Sequence, residues 1–315
     1  MSLLKPQRIK RGDLIGIVAP ASPALDHSRI NKGIRYLESL GYHVLPGKHI
    51  HASTGFLAGS DAQRAQDLND MIRNPRVRAI IALRGGYGSP RILPLVDYAA
   101  LRRDPKVIVG FSDITALQLA IWRRISLVTF SGPMVAVEFA AGMDPFTEEH
   151  FWRLITSTRK PAALPMPQDA PLDCWKPGQS EGALVPANLA MLGSLLGTRF
   201  FPKLQGTVLA IEDVGEQLHR IDRLFNQLTL AGATRKLAAL LLGKFTQCTT
   251  SRPEYGPVTI QDVLRDHVQP VPGPVLANLP YGHIPRRLTL PVGVPVRVSA
   301  LRQPAIQFLE PAVTA

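Results

Sequence analysis

The feature that most constrains this chain is an alternation in its first 155 residues, where short apolar runs take turns with amphipathic stretches. Residues 14–19 (LIGIVA) form the first run, which stops at Pro20 and reads as a buried strand. Ile30, Ile34, Leu37 and Leu40 then recur at helical spacing before Gly41, and 61–73 carry Ala65, Leu68 and Ile72 on one face. Residues 77–83 are the next strand and run directly into Arg84-Gly85-Gly86-Tyr87-Gly88; residues 106–110 lead into Ser112-Asp113 and a helix through Ala116, Leu119 and Ala120. Strands separated by such helices predict a parallel sheet covered on both faces, whose ligands gather at the carboxyl ends of the strands. The glycine loop and Ser112 both fall at such ends.

The second half repeats the style less regularly. Five prolines between Ser157 and Ser180 (Pro161, Pro165, Pro167, Pro171, Pro177) leave no room for a regular helix or a central strand and predict a linker. Beyond it, 188–196 and 217–230 read as helices, 207–211 and 237–242 as strands, and short strands follow Pro270. The predicted fold class is therefore α/β in two domains: 1–156 with a parallel sheet and a nucleophile elbow, a linker over 157–180, and 181–315 rich in short strands. At 315 residues the chain is long enough for two cores.

Composition narrows the function classes. The basic start, 1–10, meets Arg11-Gly12-Asp13 instead of an apolar signal core, and no run approaches ~18 apolar residues, so no membrane association and a cytoplasmic location are expected. Cys174 and Cys248 form no CxxC pair and indicate neither a disulfide framework nor a thiolate metal site. The formal net charge of +12 raises nucleic acid as a partner. The basic residues are scattered, however, and no RRM, KH or zinc-finger signature is present; an acidic small substrate suits the charge as well.

Chemistry concentrates around Val107-Ile108-Val109-Gly110-Phe111-Ser112-Asp113. A serine on a sharp turn between a buried strand and a helix has its hydroxyl lifted out of the sheet, with the next amide at the positive helix end. Ile114 stands where the last glycine of a G-x-S-x-G elbow belongs, and a plain helix cap is the competing account of Ser112. A hydroxyl nucleophile needs a base, and its oxyanion needs fixed donors, which the glycine loop could supply. His49-Ile50-His51 lacks the grouping of a metal site, while His283, in the Gly/Pro-rich Tyr281-Gly282-His283 loop, could reach across a domain interface. Glu212, Asp213 and Glu216 are all placed to orient a histidine, and spacing does not choose among them.

Taken together, the segments Leu83-Arg84-Gly85-Gly86-Tyr87-Gly88, Gly110-Phe111-Ser112-Asp113-Ile114-Thr115-Ala116-Leu117, Ser131-Gly132-Pro133-Met134, Leu209-Ala210-Ile211-Glu212-Asp213 and Tyr281-Gly282-His283 resemble the LD-carboxypeptidases. These serine peptidases, family S66, include muramoyl-tetrapeptide carboxypeptidases and microcin-C immunity peptidases. The resemblance covers nearly the whole chain. It implies a triad of Ser112, Glu212 and His283 at the domain interface, and an oxyanion hole from the amides of Asp113 and Gly86. It further implies a hydrolase of cytoplasmic cell-wall recycling that releases terminal D-Ala from murein tetrapeptide, works without metal or cofactor and forms a homodimer. Arg84 and Tyr87, on either side of the double glycine, are candidates for substrate contacts. The chain departs from the family at Val185-Pro186-Ala187, where two glycines are usual, and a stiffened loop is expected there. Two other readings stand beside this one: an immunity-type peptidase acting on peptidyl or aminoacyl nucleotides, for which Tyr255 is the one aromatic between Cys248 and Pro257, and a non-catalytic binder of peptidoglycan fragments.

Overall fold

A computed structural model describes residues 2–160, 163–167, 169–250 and 256–315; Pro161 and Tyr255 lie outside them. The chain forms two α/β units, each built on its own sheet. The first contains β1 (Leu14–Val18), β2 (His43–Pro46), β3 (Val77–Ala82), β4 (Val107–Gly110) and β5 (Thr129–Ser131). All five are parallel, and their order is β5-β4-β3-β1-β2. Ile15, Ile17, Ile80, Ile81, Val107 and Val109 are buried on both faces, as near-continuous apolar strands of a covered parallel sheet must be.

The covering helices are α1 (His27–Ser39), α2 (Asp61–Arg73), the short α3 (Ser89–Ile92) and α4 (Tyr98–Arg103), α5 (Thr115–Ile125) and α6 (Pro145–Thr156). Their ends follow sequence chemistry. Asp26 caps α1 by accepting the Ser28 amide at 2.9 Å, and α2 opens with a reciprocal Ser60/Gln63 capping box. The strand order reverses direction between β1 and β3, so the loops after these two strands splay apart around a crevice at the carboxyl edge of the sheet. Ser112 follows the neighbouring β4.

The second unit contains β6 (Asp173–Lys176), β7 (Gly178–Asn188), α7 (Leu189–Ser194), β8 (Thr207–Val214), α8 (Leu218–Leu230), β9 (Ala239–Thr246), α9 (Ile260–Asp266) and β10 (Val275–Ala277). After them come β11 (Leu290–Val292), β12 (Pro295–Ala300) and β13 (Ala305–Phe308). Its sheet is mixed, in the order β13-β12-β7-β8-β9-β10-β6, with β7 to β10 parallel and the outer strands antiparallel.

Three features depart from the sequence reading. First, residues 157–180 are not linker throughout: Asp173–Lys176 is an edge strand, and β7 begins at Gly178. Pro171 and Pro177 flank β6 and so remove no ladder bond from it. Second, Val185-Pro186-Ala187 is the buried end of β7 and not a loop. On the side away from β8, Leu184 donates to Val294 at 2.9 Å and accepts from Gly293 at 2.7 Å. Pro186, two residues on, faces that same side beyond the last β12 partner, where its missing N–H costs nothing. Third, β11 leaves the second half of the chain and pairs antiparallel with β5, closing the edge of the first sheet.

Candidate active site

Gly110 ends β4, Phe111 is extended, and Ser112 turns the chain with φ 63, a left-handed value that non-glycine residues rarely adopt. A 3-10 turn, Ser112–Ile114, leads into α5. A Cβ on Gly110 would collide with the Ile114 side chain. Gly110 therefore makes room for the Ile114 side chain, which stands where an elbow's second small residue belongs. The Ser112 side chain makes no capping bond to either helical segment, so the plain cap does not describe it.

Directly across lies the loop after β3. A Cβ on Gly85 would sit 2.9 Å from Ser112 Cβ and 3.2 Å from its Oγ, so this position requires glycine for the two turns to approach. Gly86 adopts φ 106, and among the described residues neither its amide nor that of Asp113 has a hydrogen-bond partner. Tyr87 is half exposed and meets Phe56 edge to face at 5.1 Å. Arg84 is partly buried; its guanidinium donates to the Pro23 carbonyl at 3.3 Å and lines a cavity of about 300 Å³ with Arg29, Asp26 and Ala136.

Glu212 and His283 come from the second half. The His283 Nδ1 donates to Glu212 Oε2 at 2.7 Å, with the carboxylate wholly buried and the imidazole 24% exposed. A carboxylate only accepts, so Nδ1 carries a hydrogen, and in the neutral imidazole Nε2 is the bare nitrogen. The imidazole packs on Phe111, the residue before Ser112, with ring centroids 4.8 Å apart. Of the three carboxylates left open by spacing, Glu212 is the one on a histidine. The β8–β9 ladder shifts register between Ile211 and Asp213, so that Gly243 and Lys244 of β9 lie opposite Glu212. Asp213 instead accepts from the Ala190 amide at 2.9 Å and from Asn188 Nδ2 at 3.0 Å. Burial raises its pKa to about 6, the Glu212 charge adding to the rise. Glu216 pairs with Arg220.

Several supporting residues escaped sequence reasoning. Asn188 Nδ2 also donates to Glu212 Oε1 at 3.1 Å, while its own carbonyl oxygen caps α7 through the Met191 amide. The Asn188-Leu189 pair opening a helix was a legible cap signal, but the second bond was not. Phe111 lies beneath Arg287, whose guanidinium carbon is 3.8 Å from the ring centre, and Tyr281 meets it edge on. Arg287 in turn donates to Glu138 at 2.6 Å, and Tyr281 and Ser131 share a hydrogen bond of 2.8 Å across the two units. No local pattern announces a buried arginine at 287. His49 is held by Asp67 at 2.7 Å and His51 faces His27; no group suited to a metal occurs among the described residues.

Residues 15–132 match the LD-carboxypeptidase N-terminal domain and 181–298 the LD-carboxypeptidase C-terminal domain. The chain belongs to the LD-carboxypeptidase family. Among LD-carboxypeptidase relatives, a protein of Bacillus subtilis named a probable murein peptide carboxypeptidase is 34% identical, over 96% of this chain and 93% of its own. A crystal structure of muramoyltetrapeptide carboxypeptidase from Oxalobacter formigenes superimposes with a TM-score of 0.81 at 31% identity, covering 94% of this chain and 97% of that one. The microcin C7 self-immunity protein MccF, solved in complex with aspartyl sulfamoyl adenosine, has a TM-score of 0.89 at 26% identity over 99% of this chain and 100% of its own. The five segments that carried the resemblance lie after β3, at the start of α5, after β5, on β8 and after β10.

Proposed function

We propose that the protein is a serine LD-carboxypeptidase that removes the terminal D-Ala from murein tetrapeptide, with Ser112, His283 and Glu212 as its triad. The observation that carries this reading is the Glu212–His283 pair, seated against Phe111 beside a serine on a strained strand-to-helix turn. Ser112 Oγ attacks the L,D-amide carbonyl while His283 Nε2 takes its proton, and Glu212 holds the imidazole in the required tautomer and offsets its charge. The unpartnered amides of Gly86 and Asp113 receive the oxyanion. His283 then returns the proton to the departing D-Ala amine, water enters, and the same groups in reverse roles release the shortened peptide.

The +12 charge favours a multiply carboxylated peptide, with Arg84 the group for its terminal carboxylate and Tyr87 an apolar contact at the rim. No helix among the described residues is long and apolar enough to cross a membrane, in keeping with a recycling role in the cytoplasm. We place the protein there as a homodimer that needs no cofactor and binds no nucleic acid.

The test is mass spectrometry of a diaminopimelate-containing tetrapeptide incubated with the protein, alongside tripeptide, pentapeptide and the Ser112→Ala variant. Loss of one D-Ala from the tetrapeptide alone, absent in the variant, is expected. The likeness to MccF supports a second substrate class, an aminoacyl nucleotide analogue. Turnover of aspartyl sulfamoyl adenosine with an untouched tetrapeptide would exchange the murein reading for that one, leaving the triad in place.

A further inference from the structure

Asp113 is 2% exposed, and its carboxylate bonds the glycine loop. Its Oδ1 accepts the Gly88 amide at 3.1 Å and its Oδ2 the Ser89 amide at 2.8 Å. In return, the Ser89 hydroxyl donates to the Asp113 carbonyl oxygen at 2.6 Å. Three bonds thus bind the turn after β4 to the turn after β3. Two more ties reach the loop after β1. Arg64, on α2 with its side chain wholly buried, donates to Gly88 O at 2.9 Å and also to Pro20 O, and pairs with Asp61. Ser22 Oγ accepts the Tyr87 amide at 3.0 Å and donates to Phe56 O at 2.7 Å. In this mesh the amides of Gly86 and Asp113 have no partner among the described residues.

We propose that the Asp113 carboxylate is a positioning group that sets the spacing between those two amides. This inference rests on Ser112 being the nucleophile. A loop with Gly86 at φ 106 and Gly88 at φ 124 has little conformational preference of its own. Oxyanion donors act only when they are held at hydrogen-bond distance from the point where charge develops, before it develops. Charge-assisted bonds to two consecutive amides supply that hold from the same residue whose own amide is the other donor, so both donors move as one piece. Burial raises the Asp113 pKa above the ordinary carboxylate value, and the Ser89 and Gly88 amides and the Arg64 charge offset part of that rise.

The experiment follows covalent labelling of Ser112 by a fluorophosphonate, a reaction that builds negative charge on oxygen without needing the natural substrate, together with steady-state tetrapeptide kinetics. In Asp113→Asn one amide keeps an acceptor and the other loses it. The variant is expected to label, and to turn over substrate, about 10²-fold more slowly, by analogy with loss of one oxyanion donor, with KM within about threefold of the wild type. Ser89→Ala leaves the carboxylate intact, is the milder variant for folding, and is expected to slow labelling several-fold. Wild-type labelling in both folded variants would overturn the inference and leave the triad standing, as would an Asp113→Asn effect confined to KM. A wild-type protein that resists labelling would overturn the nucleophile assignment and this inference together.

Discussion

At the scale of single residues, Ser112 is held in a conformation it would not choose. A side chain at φ 63 costs on the order of 1 kcal/mol relative to glycine, because Cβ crowds the following carbonyl oxygen. Ser112→Gly is therefore expected to stabilise the fold by about 1 kcal/mol while abolishing hydrolysis, whereas Ser112→Ala abolishes hydrolysis without the gain. Calorimetric melting of the two variants checks this, and a glycine variant no more stable than the alanine variant would refute the strain. The position of Ser112 on an elbow was legible because a buried apolar run, a glycine and a helix start each leave a local signature. The choice of Glu212 over Asp213 was legible only through the family resemblance and not from spacing. Spacing shows neither the register shift in β8–β9 that places Gly243 and Lys244 opposite Glu212 nor the bond to Asn188, 24 positions back in the chain. His283 was found as a member of a motif, but its seat on Phe111 depends on Arg287 and Tyr281, which spacing does not connect to residue 111.

At the scale of elements, the parallel strands and their helices were readable because each carries its own periodicity; α2 was bounded at both ends by its capping box and its charged last turn. Elements that borrow their stability from distant partners were harder. β7 contains a proline that reads as a breaker until its orientation is known, and β11 is three residues long, paired with a strand that ends at residue 131. The approach to β11 holds a titratable contact. His150, on α6, is buried and its Nε2 donates to the Thr289 carbonyl at 2.9 Å, one residue before β11. Burial depresses its pKa to about 4. The unfolded chain, with an ordinary histidine near 6.5, binds more protons than the fold between these values. Stability from this group is therefore complete above about pH 6.5 and is lost as pH falls toward 4, by about 3 kcal/mol. His150→Gln removes that dependence, so melting temperatures of variant and wild type are expected to converge between pH 7 and pH 4; curves that stay parallel would contradict it.

At the scale of the whole molecule, the two sheets are not independent. The Ser131–Tyr281 and Glu138–Arg287 bonds cross between the two halves, and Leu290, Pro291 and Val292 are paired with Ser131, Phe130 and Thr129. Residues 1–156 on their own would expose the open side of β5, which is buried in the full protein, and would leave Phe111 without its arginine and tyrosine. That fragment is expected to aggregate or to lack a cooperative melt, as read by gel filtration and near-ultraviolet circular dichroism; a monomeric fragment with a sharp melt would show that the first sheet stands alone. The same strand exchange sets a schedule for synthesis. A growing chain emerges at about 5–20 residues per second, so the roughly 160 residues between β5 and β11 take about 10–30 s to appear. Through that interval the nascent first half carries an incomplete sheet beside the translating ribosome, a window in which chaperones that shield unpaired strand edges have their work to do.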